Sequence, residues 1–375
     1  MRRNIVKFSI MMIMLYVLFP FCKRNVMDLS GRSDEGTENT WQNTIQQMVE
    51  PVVRYRCGMS YIGNGKVIIY GGYSRNNNNP YEFQVNDVWE YDVKDPSWHP
   101  LNTPWEMQPR SDVAMTYAGD GRALLYGGES NYTLNGKDYI TKKHYDTWLY
   151  DRASDTWQQL DDGSDTLKVN PAVYFGHSMT YIGENKALLF GGSVWSDADT
   201  AFVPTNQLLE FDITSNSWTD LSLGDELSPP ACDNAVFVYI GYDQVVYVGR
   251  GFEQVETWIY KISARQWQNV TAQSMLIPSN YGTGAYLGAS KLLMYTSGNR
   301  FRGSAPTTWL FDATNMTWQN MTSTRSLTPP SRSGQAMTFG GNSKVILFGG
   351  SISGLGIWND TWEFNGGHLS NLAYQ

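Results

Sequence analysis

The strongest constraint on this chain is that it repeats itself. An apolar run closing on two glycines occurs as "KVIIYGG" up to Gly72, "ALLYGG" to Gly128, "ALLFGG" to Gly192 and "KVILFGG" to Gly350. Looser copies, "VVYVGRG" to Gly251 and "KLLMYTSG" to Gly298, stand between them. A second element follows each run: "NDVWEYD", "YDTWLYD", "NQLLEFD", "VETWIYK", "PTTWLFD" and "NDTWEFN". Its fourth residue is Trp89, Trp148, Leu209, Trp258, Trp309 or Trp362. Six residues past the end of this element another tryptophan recurs, at Trp98, Trp157, Trp218, Trp267 and Trp318. A fourth element opens each unit: "RYRCGMSY", "RSDVAMTY", "YFGHSMTY", "ACDNAVFV", "YGTGAYLG" and "RSGQAMTF". Each unit therefore holds four short β-like runs. The glycine-ended run is continuously apolar, as in a strand covered on both faces. The tryptophan-bearing run alternates, as in a strand with two unlike faces. Four-stranded units of about 50 residues cannot bury both faces alone and must stack on one another.

Composition agrees. Aromatic residues make up 14% of the 375, including 14 Trp, enough for a large core. The 35 Gly and 15 Pro favour many turns over long helices. A net charge of −8 argues against the basic surface that nucleic-acid binding requires.

The double glycine, the tryptophan six residues beyond an acidic turn and the period near 50 residues resemble the kelch repeat, over roughly residues 39–365. The resemblance implies an all-β, six-bladed kelch-type β-propeller, like the central domain of galactose oxidase. The Trp and Gly positions read as inter-blade packing and tight backbone approach.

The last unit lacks its closing tryptophan. Six residues after Asn365 stands Asn371, in "HLSNLAYQ". A sixth blade short of its outer strand would expose an unpaired edge. "ENTWQNT" at the other end of the sequence supplies a matching segment, so Trp41 is expected in the outer strand of the last blade, closing the ring.

The organisation expected is a signal peptide over 1–22, a flexible spacer over 23–38, the propeller over 39–365 and a tail over 366–375. The leader has Arg2, Arg3 and Lys7 ahead of an apolar run from Phe8 to Phe21. That length suits export rather than a membrane span, with an uncleaved anchor as the alternative. The expected location is outside the cell, as a secreted chain, or the lumen of the secretory pathway. Five sequons are candidate glycosylation sites: Asn131, Asn269, Asn315, Asn320 and Asn359. Three cysteines, Cys22, Cys57 and Cys232, form no disulfide framework. Cys57 and Cys232 are expected as buried free thiols.

For binding, the long segments after the double glycines stand out: Tyr73 to Gln84, Glu129 to His144 and Ser193 to Thr205. The residues leading into the first strands align as Arg54, Arg110, Tyr174, Ala231, Tyr281 and Arg332. The resemblance implies that these lie near the channel mouth. Arginine forks and tyrosine faces there would suit an acidic peptide or a sugar acid. The plainer reading pairs each Arg with an acidic turn residue or a carbonyl. The chain is expected to act as a protein- or glycan-binding module, with no catalytic residue, metal site or cofactor assigned. The resemblance also brings two enzyme readings. A copper radical oxidase would have to use His144 and His177, and no pair among the four His has close ligand spacing. A sialic-acid isomerase would use Glu129, Asp197 or Asp199, which form no acid–base pair in sequence.

Overall fold

The computed structural model describes residues 39–44, 49–76, 79–134, 138–164, 171, 175–251, 254–271, 282–298, 305–322, 328–352 and 356–367. The expected leader, spacer and tail beyond Gly367, with Tyr174, Tyr281 and Asn371, lie outside them. Residues 37–375 form one compact unit.

Each sequence unit becomes one four-stranded antiparallel sheet. The first is Gly58–Tyr61, Lys66–Tyr70, Val88–Asp92 and Ser97–Leu101. The second is Ala114–Tyr117, Arg122–Tyr126, Thr147–Asp151 and Thr156–Asp161. The third is Ser178–Gly183, Lys186–Phe190, Leu208–Asp212 and Ser217–Asp220. The fourth is Val236–Tyr239, Gln244–Arg250, Val255–Lys261 and Gln266–Asn269. The fifth is Gly282–Gly288, Lys291–Thr296, Thr307–Asp312 and Thr317–Asn320. The sixth has Ala336–Gly341, Lys344–Phe348 and Thr361–Asn365, and its outer strand is Thr40–Asn43. There Trp41 pairs with Phe364, and Asn39 N–H donates to Asn365 O at 2.6 Å. The N-terminal copy of the repeated segment thus pairs with the last strand of the sixth sheet.

The apolar second strands are the most deeply covered. Val67, Ile68, Ile69 and Tyr70 are all fully buried, as are Val345, Ile346, Leu347 and Phe348. Their side chains feed clusters that join neighbouring sheets, such as Ile69 and Trp98 of the first with Ile346 and Phe348 of the sixth. Sheets pack on sheets, and that is the architecture of a β-propeller. The inner strands neighbour one another in cyclic order from first to sixth, with the sixth beside the first. Tyr61 N–H donates to Thr338 Oγ1 of the sixth sheet, Tyr181 N–H to Thr116 Oγ1 of the second, and Tyr239 N–H to Thr180 Oγ1 of the third.

The recurring tryptophans bind sheets together through a specific contact. Trp98 Nε1 donates to Thr361 Oγ1, Trp318 Nε1 to Thr257 Oγ1 and Trp41 Nε1 to Thr308 Oγ1, at 2.9–3.0 Å. In each case the hydroxyl belongs to the third strand of the preceding sheet. The first sheet carries Val88 at that position, and the buried indole N–H of Trp157 has no acceptor. Trp218 and Thr147 hold the same two positions, yet neither polar atom has a partner.

The double glycines work as backbone. Gly71 and Gly72 have φ of 69° and 102°, a region that L-residues with a Cβ avoid. Gly72 N–H then donates to Arg110 O of the next sheet at 2.9 Å. Beyond the glycines the expected long loops are themselves β-hairpins: Tyr73–Asn76 with Asn79–Gln84, Glu129–Leu134 with Asp138–Lys143, and Ser193–Ser196 with Ala201–Pro204. A shorter one, Ser351–Ile352 with Gly356–Ile357, follows the sixth sheet's glycines.

Candidate binding face

Arg54, Arg110 and Arg332 share one geometry. Each is at most 1% exposed. Arg54 grips Asp87 through both terminal nitrogens at 2.6 and 2.8 Å, and Nη1 also donates to Gly71 O at 3.1 Å. Arg110 does the same to Asp146 and Gly127 O, and Arg332 to Asp360 and Gly349 O. Each Nε donates to the carbonyl two residues earlier, of Val52, Gln108 or Pro330. The tryptophan two residues after the aspartate donates its indole N–H to the same carboxylate, in the pairs Trp89–Asp87, Trp148–Asp146 and Trp362–Asp360. Burial works against ionisation of Asp87 and Asp146, but their bound arginines outweigh it and hold both carboxyls below the usual range. An acidic ligand would have to displace an aspartate from each fork. These arginines lock the glycine turn to the third strand, as the plainer reading of the sequence has it.

The alignment of that ring also shifts. Gly192 N–H donates to Cys232 O as Gly72 N–H donates to Arg110 O. The residue of the fourth sheet that stands where the arginines stand is therefore Cys232, and Ala231 is its exposed neighbour. Cys232 and Cys57 are both free and buried. Burial pushes the Cys57 thiol up to about 11, which makes it an inert core group.

The hairpins form a connected face. Tyr55 and Tyr73 stack at 5.4 Å, and Tyr73 Oη donates to Glu129 Oε1 at 3.1 Å. Gln84 of the first hairpin donates to Ser111 Oγ and Glu129 O, which ties it to the second. Lys143 pairs with Glu129 and also lies 5.4 and 5.3 Å from the ring centres of Phe175 and Phe202. Phe202 packs on Phe175 and on Trp195, each at 5.1 Å. Trp195 and Phe202 remain 45% and 43% exposed, and Phe83 of the first hairpin 37%.

The other candidates are committed locally. Glu129 is taken by Lys143, Asp197 accepts from Trp195 Nε1, and Asp199 accepts from Ser196 Oγ. His144 Nε2 lies 2.7 Å from Ser130 Oγ, and His177 Nε2 3.5 Å from Tyr126 O. Burial pushes both imidazoles down to about 4, with Arg110 assisting at His144. Among the sequons, Asn269, Asn315 and Asn320 are exposed, while Asn359 Nδ2 donates to Glu50 Oε1 and Asn131 Nδ2 to Tyr73 Oη. At the opposite end of the inner strands Tyr61, Tyr117 and Tyr181, with Phe339, make a continuous aromatic collar, with centroids 5.2–6.0 Å apart. The channel they flank has a volume of about 280 Å³ and is lined by inner strands of all six sheets.

Residues 136–296 match a family model described as the KLHDC2/KLHL20/DRC7 Kelch-repeats domain. The chain thus carries kelch repeats over that segment. A search of curated proteins returned no match. The matched segment runs from the second hairpin through the third and fourth sheets into the fifth, so it includes Trp195, Phe202 and Glu256. Kelch repeats indicate a protein-interaction module. No helix among the described residues is long and apolar enough to cross a membrane.

Proposed function

We propose that the chain forms a closed ring of six kelch blades whose hairpin face binds a partner protein in the secretory pathway or outside the cell. The observation that carries the binding reading is the exposed, braced aromatic patch of Trp195 and Phe202 beside Lys143. Large aromatics held rigidly at a surface are the anchors from which protein interfaces draw most of their energy. Their rigidity here comes from the Glu129–Lys143 pair, so little side-chain freedom is lost on docking. The basic, apolar leader motivates the exported location. The test compares affinity capture by wild type with capture by W195A and F202A, after circular dichroism shows that both fold. Partners lost from both variants support the reading. An unchanged partner set would sink it.

A further inference from the structure

The fourth sheet keeps half of a motif. Glu256 stands where Asp87, Asp146 and Asp360 stand, two residues before the tryptophan, and Trp258 Nε1 donates to Glu256 Oε2 at 2.8 Å. The carboxylate is thus oriented as in the first, second and sixth sheets. There it holds an arginine. Here the matching residue is Cys232, whose side chain stops at Sγ. The third and fifth sheets carry Gln207 and Thr307 at the acid's position, so they need no cation. Only the fourth retains the acid after losing the base.

The shortfall leaves space. A cavity of about 640 Å³ opens beside Cys232, bounded by Gly251, Glu256 and Trp258. A side chain on Gly251 would run into the Glu256 carboxylate. Tyr247 Oη donates to Pro230 O at 3.5 Å, so this carbonyl is not left bare. That carbonyl matches those of Val52, Gln108 and Pro330, which receive Nε in the complete motifs. The forked end of the arginine has no substitute: among the described residues no cation reaches Glu256 within ion-pair distance. Asp225, Glu226 and Asp233 add three more negative charges to the wall, against one positive charge from Arg250. Pro204, the last residue of the third hairpin, lies on the same rim.

We propose that this cavity receives the guanidinium of a partner's arginine, which pairs with Glu256 as Arg54, Arg110 and Arg332 pair with their aspartates. The proposal names the partner chemistry for the hairpin face and rests on that face being the docking surface. A bidentate fork fits a carboxylate that is already oriented, whereas an ammonium would gain one contact.

N-acetyl-argininamide, titrated into the full chain and followed by calorimetry, is the probe. Binding at a Kd of roughly 1 mM or tighter is expected, with the isosteric citrulline amide at least about tenfold weaker. E256Q, whose amide oxygen still accepts from Trp258, should weaken the argininamide by about tenfold or more while keeping the thermal midpoint. E256D, the acid used by the other sheets, should retain binding within about threefold. Equal binding of the citrulline analogue, unchanged binding by E256Q, or no saturation would overturn the assignment. Equal binding of N-acetyl-lysinamide would overturn the guanidinium preference. Loss of partner capture in W195A with no argininamide binding would remove this pocket and leave the face. Argininamide binding alongside unchanged capture by W195A would do the reverse.

Discussion

Replacing Trp41 by alanine tests whether a strand from the far end of the sequence carries the sixth sheet. Trp41 is 4% exposed, meets Phe364 and Tyr295 edge-on at 5.3 and 6.1 Å, and donates to Thr308. Truncation removes roughly 150–200 Å² of buried apolar surface, about 4–5 kcal/mol at 25 cal/mol per Å², as an upper figure. The lost hydrogen bond to Thr308 adds about 1 kcal/mol. Partial collapse of the site brings the expected loss to about 3–5 kcal/mol. The assay is urea unfolding, read as a midpoint shift at constant slope. Trp98 provides the internal standard, because it makes the same contact from a sheet built of continuous chain. W98A and W41A should therefore cost the same within about 1 kcal/mol. Deleting residues 39–44 should cost more than W41A, since it also strips the ladder from Thr361–Asn365 and bares that edge. If W41A moves the midpoint by less than about 1 kcal/mol while W98A costs 3–5, the N-terminal strand is a loosely held peptide and the closure argument fails.

Three further outcomes follow from the same contacts. V88T supplies the hydroxyl that Trp157 lacks and should stabilise the chain by about 1 kcal/mol in urea unfolding, whereas V88A should not. D146A strands the buried Arg110 guanidinium and should cost about 3–5 kcal/mol, against under about 0.5 for the exposed D225A. His177 stays neutral in the folded chain down to about pH 4, but the unfolded chain protonates it near its ordinary 6.5. Stability should therefore fall as pH drops from 6.5 to 4, by up to roughly 3 kcal/mol from this residue. H177N should flatten that slope in unfolding curves taken across this range.

The repeat was legible because each strand type leaves its own pattern: continuous apolar residues where both faces are covered, alternation where they differ. Trp41 stood out for a different reason, since an unpaired sixth strand and an orphan copy imply each other. The alignment of the first strands was not legible. "ACDNAVFV" has no arginine or glycine to set its register, and backbone bonds such as Gly192 N–H to Cys232 O place it. Pairing of the arginines with acids or carbonyls was the plainer reading of the sequence, yet which acid each one takes was not read, although a signal existed. Arg54, Arg110 and Arg332 occur only in units with an aspartate two residues before the tryptophan. That co-occurrence within one sequence marks a pair, and Glu256 without its arginine is the exception it exposes. The threonines that receive the indoles were visible in "NDTWEFN", "VETWIYK" and "PTTWLFD", yet nothing in a linear reading links them to tryptophans of another unit. The hairpins were read as loops because their polar residues obscure the alternation.

The pairing of Thr40–Asn43 with Thr361–Asn365 also sets a schedule for synthesis. Trp41 is made first and meets Phe364 last, more than 300 residues later. Bringing such distant segments together costs about 5 kcal/mol in chain entropy if nothing between them is ordered. Once five sheets have formed, the gap is already spanned and most of that cost has been met by earlier contacts. At about 5–20 residues per second, the first strand waits roughly 15–60 s without its partner. During that interval its Trp-bearing edge is open to other nascent chains, and the last sheet to be translated is the one that ends the exposure.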